Sequence, residues 1–448
     1  MAVNMEIFQQ FGEGIQHLAE MGQPIEMSPE ERVRVAKETF IRKIDRNMAV
    51  ELESCVNCGQ CAEACHFYVT TQDPKYTPIR KLDLMKRVYR REISPLRWLH
   101  RLYTRDITVE DLEEWQYLVY DSCTECGKCS FICPMGINIH TMVYTNRQAM
   151  ANAGLMVAEH RAMAQEQLGN GTLFGVGPDQ LKEFLEKIEE QGLEVHVDEP
   201  QADVLVLTSV IDILLFHDTL IATIKIMNHL GYSWTFASAG YEAANFGMLS
   251  GHEPTQREAA GRLVEAAKAC GAKYVIVPEC GHSFPALRWE QPNEERAKFD
   301  FEVLAISEFL GREVKRGHLK LNKIGKGKKV TYHDPCKVGR HSGVFDEVRW
   351  IFDALDVDFR ETDPTRELQW CCGGGAGGFV IARSQPLRQK TFELKAKAFD
   401  DTGADSVMVS CQSCRLNFMS GAMHAGWQKP IESLTELVAD NLVDGGQA

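Results

Sequence analysis

Most of the chain's fifteen cysteines fall in three groups whose spacing suits metal binding. Two runs repeat C-x2-C-x2-C-x3-C: "CVNCGQCAEAC" with Cys55, Cys58, Cys61 and Cys65, and "CTECGKCSFICP" with Cys123, Cys126, Cys129 and Cys133. The third group is dispersed: Cys336 in "YHDPCKVGRHSG", the adjacent Cys371 and Cys372 in "ELQWCCGGGAGG", and Cys411 with Cys414 in "SCQSCRLNF". An odd number of cysteines cannot all pair within one chain, and 448 residues with 44% hydrophobic content build cores without disulfides. The N-terminal "MAVNMEIFQQFGEGIQHLAEMGQ" lacks a basic start followed by a continuous apolar run, so a reducing, cytoplasmic setting is expected. Thiolates there bind metal.

The two regular runs have the pattern of bacterial dicluster ferredoxins, in which the fourth cysteine serves the other cluster. A tight loop brings three thiolates to one cube while its amides face the sulfurs. The fourth must arrive from another direction. One cubane [4Fe-4S] cluster is therefore expected on Cys55, Cys58, Cys61 and Cys133, and a second on Cys123, Cys126, Cys129 and Cys65. Zinc does not require two copies of this eight-cysteine pattern. His66 stands where proline usually follows the fourth cysteine. The 57 residues between Cys65 and Cys123 read as helical, which points to an α-helical ferredoxin-type domain.

Around these cysteines the chain changes character. "SPEE" at 28–31 marks a helix start, and the helix is expected to run to about Asn47. Between Thr77 and Arg105 nine Lys or Arg residues alternate with apolar ones, and a break at Pro95 predicts two amphipathic helices. Their basic face is either solvated, balances nearby anionic clusters, or docks an acidic partner or membrane surface. From about 195, "ADVLVLTS", "AKYVIVPE", "KKVTYHD" and "ADSVMVSC" read as buried strands between helices, hence α/β layers. The apolar stretch from Val204 to Met227 carries Asp212, His217, Asp218 and Lys225, so it reads as strand and helix with no direct membrane span. A net charge of −14 excludes a general nucleic-acid binder.

An internal repeat organises the second half. "GAKYVIVPECGHSF" from Gly271 aligns with "GADSVMVSCQSCRLNF" from Gly403, with "KRGHLKLNKIGKGKK" at 315–329 as the linker. The first copy has "NFG" at 245–247 where the second has Cys371, Cys372 and Gly373, and Cys280 and Ser283 where the second has Cys411 and Cys414. The expected organisation is a helical extension (1–50), a dicluster domain (51–160), a degenerate repeat (195–314) and an intact repeat (328–448). Cys270 reads as a buried thiol and Cys280 as a vestige, with the alternative that Cys280 and His282 line the active cleft.

The order C…CCG…C-x-x-C resembles the CCG domain of the B- and D-type subunits of heterodisulfide reductase. Fused to a dicluster domain, with "LEEWQYLVYDSCTECGKCSFICPMGI", it is similar to the family of the D-type subunits and DsrK. The resemblance implies two tandem α/β CCG-type repeats, the first degenerate, and a noncubane [4Fe-4S] cluster held by Cys336, Cys371, Cys372, Cys411 and Cys414. A fifth thiolate, and two adjacent ones, fit an opened cluster with a bridging thiolate. It further implies an oxidoreductase acting on sulfur groups, a disulfide or trisulfide of a small sulfur carrier (DsrC-like). Its partners would be cytochrome b-type or other redox subunits of a complex on the cytoplasmic membrane face. An iron that binds substrate sulfur would let two single electrons cleave one S–S bond without a free thiyl radical. His333, Lys337, Arg340 and His341 flank Cys336 and are candidates for donating protons or holding an acidic protein substrate, His333 first among them. The competing function is an electron-transfer subunit linking a flavin-dependent hydroxy-acid or glycerol-3-phosphate dehydrogenase to quinone. A scaffold role for the clusters would not need so many thiolates.

Overall fold

The computed structural model describes residues 5–291 and 298–443. Up to Glu189 the chain is helical apart from one isolated bridge between Leu173 and Val176. Ser28 starts the helix Pro29–Lys43 by accepting the amide of Glu31 at 3.2 Å, a cap that stabilises by about 1 kcal/mol. This helix ends short of Asn47. Asp45 accepts the amide of Met48 at 2.8 Å and starts a second helix, Arg46–Ser54, whose C-terminal end delivers Cys55. In the basic segment the helix Asp83–Val88 continues into a wider turn over Tyr89–Ile93, and after Pro95 a second helix spans Arg97–Tyr103. Phe40, Leu84, Trp115, Tyr120 and Met142 form the core of this helical part.

Two four-stranded parallel sheets follow. Strands β1 (Val204–Val206), β2 (Trp234–Thr235), β3 (Tyr274–Val277) and β4 (Glu302–Ala305) lie in the order β2-β1-β3-β4. Strands β5 (Lys329–His333), β6 (Asp358–Phe359), β7 (Ser406–Val409) and β8 (Ile431–Ser433) repeat it as β6-β5-β7-β8. The four runs read as strands in the sequence are the two central strands of each sheet. The edge strands, two to four residues long against three to five for the central ones, were not read as strands.

Strand alternation sorts the core. Val204, Val206, Ile276, Val330, Tyr332 and Met408 face a shared interior that joins the two sheets. Leu205, Leu207, Val275 and Val277 face a separate cluster behind the first sheet. Behind the second sheet the matching residues Val407 and Val409 pack with Cys371, Cys372, Cys411 and Cys414. The segment read as a linker is tied down: the Asn322 amide donates to Asn441 O at 2.8 Å, and Leu321 bridges Leu442.

Candidate metal centres

The two regular cysteine runs fold alike. Asn57 and Gly59 in one and Glu125 and Gly127 in the other all have positive φ, which turns each loop back on itself. One hollow is lined by Cys55, Cys58, Cys61 and Cys133, the other by Cys65, Cys123, Cys126 and Cys129. Each hollow thus takes three thiols from one run and the last thiol of the other. Burial pushes the Cys61 thiol up to about 11, with Cys55, Cys133 and Cys58 adding to the shift. Burial likewise raises Cys129, reinforced by Cys126, Cys123 and Cys65. Bound metal would relieve this penalty by replacing the protons.

Part of the basic segment serves these loops. Lys81 is buried and donates to Ser122 O beside Cys123, and buried Lys86 donates to Asn57 Oδ1 at 3.3 Å. Arg87 and Arg101 are neutralised by Asp111 and Glu92 at 2.9 and 2.7 Å. Trp98, Leu102 and Tyr103 stand exposed.

The third group gathers at the carboxyl ends of the second sheet. Cys336 follows β5, Cys371 and Cys372 lie in the connection between β6 and β7, and Cys411 and Cys414 open the helix after β7. Parallel α/β sheets bind ligands at this edge, where connections leave adjacent strands in opposite directions. Cys371, Cys372, Cys411 and Cys414 are packed together with Cys336 against them, and the sulfurs of Cys372 and Cys414 lie within 4.8 Å of one another. These contacts hold Cys372 well below the ordinary thiol range and push Cys371 and Cys414 above it, so the set is poised to lose protons unevenly. The amides of Gly373 and Gly374 donate to the sulfurs of Cys371 and Cys372 at 3.4 and 3.5 Å. Gly373 has φ +93°, and a side chain there would press on Thr391. Five convergent free thiols with amide donors suit an iron–sulfur cluster.

His333, at the end of β5, is buried, and a ring nitrogen lies within 4.8 Å of the sulfurs of Cys372 and Cys414. Burial and then the charge of Lys395 lower its pKa. Lys395 is itself buried beside Asp334 and the thiols, and burial brings it down to about 7. Sequence reading missed this lysine, which sits in a helical stretch with no motif.

It also missed the joint between the second run and the third group. The sulfur of Cys126, one of the dicluster thiols, lies within 4.8 Å of that of Cys371, and Thr124 Oγ1 lies 3.3 Å from the same Cys371 sulfur. His66 completes a trio with Cys126 and Cys371 within 4.8 Å. Its unusual place in the motif was the available signal. Arg147 fastens the joint from below, donating to Cys123 O at 2.8 Å and Ala376 O at 2.9 Å while pairing with buried Glu125 at 3.3 Å.

Three candidates flanking Cys336 also contact the helical part. Arg340 donates to Cys126 O at 2.8 Å, Lys337 Nζ lies 2.8 Å from His140 Nε2, and His341 packs 4.5 Å from the His140 ring. These contacts join the helical part to the second sheet, with Lys337 buried and Arg340 and His341 half-buried. His282 also reaches the site: its Nε2 accepts the Ala376 amide at 2.9 Å. Cys280 accepts a hydrogen bond from Ser283 at 2.9 Å, and burial raises it to about 12, beside Cys411. Cys270 is buried outside the three groups.

Comparison with known proteins agrees with this geometry. Residues 51–137 match the 4Fe-4S dicluster domain and residues 330–419 the cysteine-rich (CCG) domain. The D-type subunit of the dihydromethanophenazine:CoB–CoM heterodisulfide reductase of Methanosarcina acetivorans is 30% identical over 411 residues, covering 88% of this chain and 94% of that protein. The Hdr-like menaquinol oxidoreductase iron–sulfur subunit 2 of Archaeoglobus fulgidus is 25% identical, covering 93% and 84%. The EtfAB:quinone oxidoreductase of Syntrophomonas wolfei is 26% identical, covering 80% of this chain and 52% of that protein. The paired ferredoxin-type loops, the five-cysteine edge and this similarity along nearly the whole chain place the protein in the family of D-type heterodisulfide reductase subunits, as a [4Fe-4S] electron-transfer component of an oxidoreductase.

Proposed function

We propose that the chain relays electrons between a redox partner and a sulfur–sulfur bond brought to the Cys336, Cys371, Cys372, Cys411 and Cys414 site. Two cubane clusters are assigned to the ligand sets Cys55/Cys58/Cys61/Cys133 and Cys65/Cys123/Cys126/Cys129, and a noncubane cluster to the five-cysteine set. When bound, these clusters supply single-electron steps and, at the five-cysteine site, iron that can take substrate sulfur. The reaction adds two electrons and two protons to R–S–S–R′ and gives RSH and R′SH, or runs in reverse. The observation that carries this reading is the approach of the Cys126 and Cys371 sulfurs to within 4.8 Å, which brings the second dicluster loop against the sulfur site. His333 is placed to hold a proton beside Cys372, and Lys395 and Arg147 offset the negative charge gathered there. We further read the two sheets as tandem CCG-type repeats, the first without its thiols, following a helical extension (1–50) and a dicluster domain (51–160).

The substrate is proposed to be a disulfide or trisulfide of a small sulfur carrier, DsrC-like, with cytochrome b-type or similar subunits as the electron source or sink. No helix among the described residues is long and apolar enough to cross a membrane, so membrane contact through such a partner fits. A second reading, electron delivery to quinone from a flavoprotein dehydrogenase, is favoured by the quinone named in two of the relatives. Iron and acid-labile sulfide analysis with EPR of the oxidised protein tests the cofactor assignment. About twelve irons per chain are expected, and about eight would leave the five-cysteine site empty. Turnover of a dithiol or disulfide carrier with a viologen dye then separates the two functions. The quinone-linked reading predicts none.

A further inference from the structure

Four arginines are buried among the described residues: Arg147, Arg349, Arg388 and Arg415. Three have carboxylate partners: Glu125 for Arg147, Asp334 and Glu361 for Arg349, and Glu436 for Arg415. Arg388, 7% exposed, has none among the described residues. Its Nε donates to Ser384 Oγ and its Nη1 to Asn417 Oδ1, both at 3.1 Å, and the guanidinium lies 5.0 Å from the centre of the Phe379 ring. The charge that acts on it from within the protein is that of the Cys372 thiol, which does not hydrogen-bond to it, and a buried cation whose hydrogen bonds all go to neutral groups is costly unless an anion completes it.

Two further observations give that anion a location. Arg388 lines a cavity of about 810 Å³ between the first helix, Met5–Gln16, and the helices Gln385–Asp401 and Gln412–Ala425. The cavity's one carboxylate, Glu13, is exposed and forms no ion pair with it. On its inner side Arg388 is bound to Asn417, whose Nδ2 donates to Cys372 O at 2.7 Å. One side chain, Asn417, therefore separates the guanidinium from the main chain of Cys372 in the proposed sulfur site.

We propose that Arg388 anchors an anionic group, a carboxylate, sulfonate or phosphate, on a thiol or disulfide substrate that approaches Cys372 through this cavity. The proposal rests on the sulfur chemistry proposed above and adds to it a requirement on substrate charge. Phe8 and Phe379 on the cavity wall suit the apolar stem of such a ligand.

The test uses the cluster-loaded protein, 3,3′-dithiodipropionate as the anionic disulfide and bis(2-hydroxyethyl) disulfide as the neutral one, with reduced methyl viologen as electron donor. Arg388→Met is expected to raise KM for the anionic disulfide about tenfold or more, the scale of a lost charge-assisted hydrogen bond, and to leave KM for the neutral one within about twofold. Arg388→Lys should fall between. Calorimetric titration of the oxidised protein with 3-mercaptopropionate should show the same loss of affinity, whereas 2-mercaptoethanol should bind alike to all forms. Gly12 faces open space, so Gly12→Trp should narrow the cavity and weaken both disulfides without burdening the core. Equal changes in KM for the two disulfides on Arg388→Met, or a shifted midpoint potential with unchanged thiol affinity, would make Arg388 a mere counter-charge and overturn the proposal. If the wild type reduces neither disulfide, the sulfur chemistry fails, and the calorimetric comparison still decides whether Arg388 binds anions.

Discussion

The two parallel sheets have the same strand order and opposite fittings at the same edge. The second carries five thiols there, one after β5, two in the connection between β6 and β7 and two after β7. The first spends the corresponding positions on hydrogen bonds and packing. Asn245 caps the helix Phe246–Ser250 by accepting the Met248 amide at 2.9 Å, and Gly247 lies so close to Gln256 that a side chain would strike its main chain. Ser283, which follows β3 as Cys414 follows β7, donates to Ala243 O and to Cys280. The first sheet also props the second: Glu279 accepts from Ser433 and Thr435 at 2.7 and 2.8 Å, and its carbonyl accepts the Gln412 amide at 2.6 Å, next to Cys411. One scaffold therefore serves either as a site or as the buttress of a site, depending on which side chains terminate its strands.

The sharpest way to break this contrast is to remove one cysteine from each sheet at matching positions. Cys411→Ala is expected to lose about four of about twelve irons per chain, and Cys280→Ala none, by iron analysis with EPR. Equal losses would mean that the first sheet also supplies a ligand. The next effect concerns the element that touches both sheets, because Arg147 donates to Leu249 O on one side and Ala376 O on the other. Arg147→Met strands the Glu125 carboxylate and should cost about 3–5 kcal/mol in denaturant unfolding. Any surviving protein should show a disturbed second cubane.

A pH effect belongs to the first sheet. Burial raises the Glu242 carboxyl to about 8, although it accepts the amides of Val210 and Ala244 at 2.8 and 2.7 Å. A carboxyl whose folded pKa lies above its unfolded value binds more protons when folded. Its contribution is therefore fully present below about pH 4 and is lost as pH rises to about 8. Urea midpoints should fall over that window, and Glu242→Gln should flatten the fall by a few kcal/mol. An unchanged slope would place the titration elsewhere. The smallest expected difference is between glycines. Gly247→Ala meets main chain and should destabilise by about 1–3 kcal/mol. Gly374→Ala meets the Asn417 side chain, 2.7 Å away, and should chiefly alter the EPR signal of the five-cysteine site.

Legibility in the sequence followed the range of the interaction. Cysteine spacing identifies the dicluster loops because every turn of such a loop is local, as the matching positive φ values at Asn57 and Glu125 show. The central strands were legible as β-branched runs, whereas the two-residue edge strands β2 and β6 leave no period to read, and β4, as long as β3, runs directly into the helix Ile306–Arg316. The helix from Pro29 was placed correctly at its start, where Ser28 acts locally, and overrun at its end, where Asp45 competes by starting the next helix. Arg340, Lys337 and His341 looked reactive because they neighbour Cys336 in sequence. In space they face Cys126 and His140.

The sequence by itself determined the donor set, the loop geometry of the two regular runs and the alternation that turns Val407 and Val409 toward the thiols, all of which depend on neighbours within a few residues. Only the tertiary structure decided that Cys126 meets Cys371, that His66 and Lys395 stand beside thiols, and that Arg388 is the buried arginine without a carboxylate among the described residues. Those facts depend on tertiary packing, between segments hundreds of residues apart for Cys126 and His66 and between neighbouring elements for Lys395 and Arg388. Each is settled by the cost of burying a charge or a polar group, which no local pattern records.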